Sequence, residues 1–145
     1  LAGNPGDPPP FDNVKIYYHT IYDIQKFYPQ AVMKVQAGDY NNILTLARTV
    51  VAAMTDNAAI FTLPDPPLAD IAVQADLLET LIAEVEAGNH MKLQLRNQQA
   101  ELLYRMLQDE TIYVNQIGNG NRGILELSGF SVHSFQSRLK VEEGC

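Results

Sequence analysis

Residues 39–67, DYNNILTLARTVVAAMTDNAAIFTLPDPP, decide the fold. Asp39 follows Gly38 and can cap a helix, because its short carboxylate reaches the free N–H groups of a first turn. From there Tyr40, Ile43, Ala47, Val50 and Met54 recur at three and four residues, which is one face of an α-helix, and Leu44 and Val51 widen the stripe. The spacing predicts a helix over 39–56, with Asn57 as a left-handed C-cap. The run then changes character. Pro64, Pro66 and Pro67 forbid a continuous helix. Ile60, Phe61 and Leu63 are too apolar for a free loop, so 57–65 reads as a connection lying along the bundle with those side chains inserted.

Working outward, Leu68, Ile71, Ala75, Leu78, Ile82 and Val85 give a second helical stripe. A helix over 66–87 follows, with Asp65 as cap, Pro66 at the first position and Gly88 as the stop. A third helix is predicted over 89–117 with Asn89 as its cap. Leu95, Leu102, Met106, Tyr113 and Ile117 line one face, with Leu103, Leu107 and Val114 beside it. Lys92, Arg96, Gln99, Glu101, Arg105 and Asp109 fall to the wet side. The short link between these helices makes them antiparallel neighbours. Gly118 and Gly120 in the GNGN break permit positive φ without steric conflict. Arg122 to Leu127 can form a short helix, and Ile124, Leu125, Leu127 and Phe130 would cap one end of the bundle.

The two ends of the chain read differently. Residues 1–10, LAGNPGDPPP, carry enough proline and glycine to exclude helix and ladder, and form an extended arm. Residues 11–28, FDNVKIYYHTIYDIQKFY, concentrate aromatics: Phe11, Tyr17, Tyr18, Tyr22, Phe27 and Tyr28. Helical spacing favours a fourth helix of the bundle, while the β-branched and aromatic content also suits a strand. Tyrosine supplies large contact area at small entropy loss and is enriched at protein interfaces, so these six residues are the candidate interface. Residues 131–145 settle on no period and read as an extended, irregular tail with some strand character. The expected organisation is an arm with the Tyr-rich segment over 1–30, a bundle over 31–130 and a tail over 131–145. The fold class is all-α, a three- or four-helix bundle.

Composition narrows the function. The 145 residues are 46 % hydrophobic and 19 % charged, which suits one globular domain with a real core. The net charge of −7 and scattered Lys and Arg disfavour nucleic acid and anionic membrane surfaces. No run of about 18 apolar residues exists to span a membrane. The single cysteine, Cys145, cannot form an internal disulfide.

Catalytic constellations are not evident. His19, His90 and His133 each stand alone, which is poor material for a metal site. Ser128 sits in L-S-G-F, not in a G-x-S-x-G elbow. The carboxylate pairs Glu84 and Glu86, Asp109 and Glu110, and Glu142 and Glu143 fall on expected polar faces or in the tail. The GNGN loop lacks the strand and lysine of a phosphate loop. No catalytic residue, metal or cofactor is expected.

Two stretches carry a resemblance: LARTVVAAMTDNAAIFTLPDPPLADI (46–71) and YVNQIGNGNRGILELSGF (113–130). Together they resemble a helical module of uncharacterised bacterial proteins, found mainly in Bacteroidetes, in which a fibronectin type III domain often follows the helices. The likeness covers about 39–132. The Tyr-rich segment has no counterpart in that module, and no sandwich domain follows within these residues. The resemblance implies a bundle with a structural or interaction role and no activity.

The expected function is therefore non-enzymatic. The chain reads as a structural or assembly protein that packs against other protein chains, as a homo-oligomer or a repeated subunit of a larger particle such as a virion or surface appendage, virion-associated or extracellular. The alternative is a binding module for a small ligand or carbohydrate, with a pocket lined by Phe61, Tyr104 or Tyr113.

Overall fold

The computed structural model describes residues 29–134; the arm, the Tyr-rich segment and the tail beyond 134 lie outside the described residues. Gln30–His133 form one unit, a three-helix bundle with a fourth short helix and a small antiparallel strand pair.

The first helix, α1, is Tyr40–Asp56, and it buries Ile43, Ala47, Val50 and Met54 along one stripe. Burying each large aliphatic side chain contributes about 1.5–3 kcal/mol. Asp39 precedes α1, but its carboxylate accepts the Asn42 side-chain amide at 2.5 Å and no backbone N–H. Asn57 is not left-handed (φ −114°). Its side-chain amide instead donates to the carbonyls of Ala53 and Leu127, at 2.8 and 3.3 Å, and ties the helix end to a distant part of the chain.

The second helix, α2, is Leu68–Glu86, with Ile71, Ala75, Leu78, Leu81 and Ile82 buried. It starts two residues later than position 66, and Pro67 occupies the cap in an extended conformation (φ −59°, ψ 142°). A proline clashes with a helical residue before it, so Pro67 keeps Pro66 out of the helix. The far end closes as expected. Gly88 takes φ +104°, its N–H donates to Val85, and the Asn89 N–H donates back to Glu84. This paired pattern satisfies the last carbonyls of the helix.

A 3₁₀ turn at His90–Lys92 leads into α3, Leu93–Gly118. It runs antiparallel to α2, as contacts of Lys92 with Glu84 and of Gln99 with Gln74 record. Its inward face is Gln99, Ala100, Leu103, Leu107, Glu110, Val114 and Gly118. The expected face is therefore displaced by one residue. Leu95, Leu102 and Ile117 stand exposed, and Gln99 lies inside.

Past α3, Asn119 takes the left-handed conformation (φ 47°) and Gly120 follows at φ 82°. Gly118 remains helical. It is small because the Leu125 side chain occupies the space a Cβ would need. Asn121 caps α4, Arg122–Glu126, accepting the Ile124 N–H at 3.2 Å. Ser128-Gly129-Phe130 then docks on α1. Gly129 holds φ +88°, and a Cβ there would sit 3.0 Å from the Thr49 carbonyl oxygen and 3.1 Å from Val50 Cα. Leu125 and Phe130 enter the core, whereas Leu127 is partly exposed.

Strands β1, Gln30–Val32, and β2, Ser131–His133, pair antiparallel with Ala31 opposite Val132. Asn115 of α3 grips the free edge of β1: its Oδ1 accepts the Ala31 N–H at 2.7 Å and its Nδ2 donates to the Ala31 carbonyl at 3.1 Å. A side-chain amide thus stands in for a third strand.

Candidate functional site

The residues with chemical potential mostly have structural partners. Ser128 is fully buried; its hydroxyl donates to the Leu125 carbonyl at 2.7 Å and accepts the Phe130 N–H at 3.2 Å. It shapes the turn before Gly129. Among the described residues, no three His, Cys, Asp or Glu side chains converge on a metal position. His90 opens the 3₁₀ turn and His133 ends β2, at separate places in the fold. Among the described residues no helix is long and apolar enough to cross a membrane.

Glu110 is the exception. It follows Asp109, and the sequence places both on a polar face. In the structure Asp109 is exposed and Glu110 is 0 % exposed. Neither Glu110 carboxyl oxygen has a hydrogen-bond partner. Burial first, and then the nearby negative charge of Asp65, raise its pKa to about 8. A buried carboxyl without a donor is held neutral because ionising it there is expensive. The local spacing does carry a signal for this. Leu103, Leu107, Glu110 and Val114 follow one another at four, three and four residues, so Glu110 interrupts a core stripe.

The crossing over 57–67 joins α1 to α2, and the charge of its Asp65 acts on Glu110. Phe61 is buried and stands in a tilted pair with Tyr113, ring centroids 6.4 Å apart at 54°. The Leu63 N–H donates to the Tyr113 hydroxyl at 3.2 Å. The Leu63 side chain itself points outward and is exposed. Tyr104 is half-buried against the core, and Arg96 lies over the Tyr40 ring at 4.3 Å. Phe61, Tyr104 and Tyr113, the expected pocket residues, therefore serve the packing of the bundle.

A second feature lies on the surface. Val73, Leu77, Leu95 and Leu102 are exposed by 60, 46, 49 and 44 %. Val73 and Leu77 share one flank of α2, and Leu95 and Leu102 share one flank of α3, next to the Gln74–Gln99 contact that joins the helices. The six aromatic residues of the candidate interface, Phe11, Tyr17, Tyr18, Tyr22, Phe27 and Tyr28, lie outside the described residues.

Compared with family models, with curated proteins and with solved structures, the chain finds no match in any of the three.

Proposed function

We propose that the chain is a non-enzymatic structural or assembly protein that works by packing against other protein chains, as a homo-oligomer or a repeated subunit of a larger particle. The observation that carries this reading is the exposure of large apolar side chains in pairs on two adjacent helices, Val73 and Leu77 on α2 and Leu95 and Leu102 on α3. Isolated exposed apolar residues are ordinary, but pairs repeated on one helix face are suited to packing against another chain. The resemblance of 46–71 and 113–130 to bacterial helical modules without an assigned activity points the same way.

Light scattering of the full chain tests it. The expected result is an oligomer, which Val73→Glu combined with Leu102→Glu dissociates to monomer while the helical circular dichroism stays unchanged. A full chain that remains monomeric at high concentration overturns the reading.

A further inference from the structure

Glu110 and the crossing over 57–67 belong together. The crossing is thinly tethered: Pro64, Pro66 and Pro67 have no N–H to give, and within 62–66 the Leu63 N–H alone donates into the rest of the described unit. At 3.2 Å it is at the long end of the ordinary range for such a bond. Segments held by few hydrogen bonds open at lower free energy than the unit as a whole. Leu63 of the crossing is bonded to Tyr113, three residues beyond a carboxyl with neither oxygen bonded and no exposure, on which the charge of Asp65 acts.

The charge that acts on Glu110 opposes its ionisation: it is that of Asp65, which belongs to the crossing itself. Arg48, Lys92, Arg105 and Arg122 are engaged with other carboxylates, and Arg96 with Tyr40. Among the described residues no ion pair includes Glu110: those that form join other carboxylates.

We propose that the crossing is a pH-operated latch: a protonated Glu110 lets residues 62–67 lie closed on α3, and loss of the proton favours a form in which they lift and water reaches the carboxylate. The sign follows from linkage. In the open form Glu110 has an ordinary carboxylic pKa, and in the closed form it titrates near 8. Rising pH therefore favours opening between these two values, about tenfold per pH unit, and the effect levels off above the closed-form value.

Amide hydrogen exchange of the full chain, followed by NMR from pH 5 to 9 and corrected for intrinsic base catalysis, reads the latch at Leu63. Leu63 is expected to be at least tenfold less protected than Leu78 in the core of α2, with protection falling up to about pH 8 and then levelling. Glu110→Gln abolishes this dependence. Asp65→Asn, which removes the repelling charge, makes it level off at lower pH. The proposal is overturned if Leu63 is as protected as Leu78, since opening is then global unfolding. It is equally overturned if the dependence survives in Glu110→Gln, or, should that variant not fold, if Asp65→Asn leaves the upper limit unmoved.

Discussion

Two buried polar side chains on α3 are treated in opposite ways. Partway along the α2–α3 pair, Gln99 is buried but satisfied: its Nε2 donates to the Gln74 carbonyl at 3.0 Å and to Gln74 Oε1 at 2.6 Å. The turn from α2 into α3 is tight, and the N–H groups of Ala87, Asn89 and Gly88 donate to the carbonyls of Ala83, Glu84 and Val85. Further along α3, Glu110 is buried with nothing to bond, three residues before the Tyr113 whose hydroxyl accepts the Leu63 N–H of the crossing. A satisfied neutral amide fixes how two helices meet, whereas an unsatisfied acid stores a pH-dependent strain. The same helix thus carries a satisfied polar contact and a titratable one.

Exchanging the two chemistries tests this contrast most directly. Glu110→Gln is expected to raise the unfolding free energy by on the order of 3 kcal/mol at pH 8, with the gain vanishing near pH 4, as urea denaturation at both pH values would show. The sign is fixed by the raised pKa: folding takes up a proton that the unfolded chain releases above its ordinary carboxylic value, so stability is present at low pH and lost as pH rises toward about 8. Gly129→Ala is expected to cost about 2–3 kcal/mol, because it forces a side chain into φ +88° against the Thr49 carbonyl; the loss would appear equally at both pH values and so separate packing from titration.

Gln99→Glu imposes the acid on the satisfied contact. A carboxylate there faces the Gln74 carbonyl with no proton to donate, so a loss of about 2 kcal/mol at pH 8 is expected, shrinking at pH 4. A loss independent of pH would break the comparison. Gly88→Ala is the smallest of the four, at about 1 kcal/mol, since its φ of +104° meets no neighbouring atom and only backbone preference opposes the methyl.

The helices were legible from spacing wherever apolar residues owned the buried face. In α1 the residues Ile43, Ala47, Val50 and Met54 are both periodic and buried. The third helix deceived because two periodic stripes run along it. Leu95 and Leu102, seven residues apart, look like a core seam, yet the structure buries the neighbouring line through Gln99, Leu103, Leu107 and Glu110. Two polar members hide that line from a reading based on hydropathy. The start of α2 moved because the rule that admits proline at a first turn competes with the restriction on the residue before a proline, and the second prevails at Pro66-Pro67. Glu110 was misplaced for the same reason as Gln99: adjacency to Asp109 reads as a solvated pair, and only the packing reveals that one member faces inward. The strand at Ser131–His133 was foreshadowed as no more than an extended tendency, because three residues carry no usable period and the partner strand lies about a hundred positions away.

That strand pair closes a circle. With Gln30 opposite His133, the unit begins and ends at the same spot, side by side across one rung of a ladder. Such a unit has the topology of a bead whose string arrives and leaves through one hole. A short linker can therefore splice its two ends while new ends are cut at an exposed turn such as Gly88-Asn89, and the whole unit can be set into a loop of another protein without stretching its host.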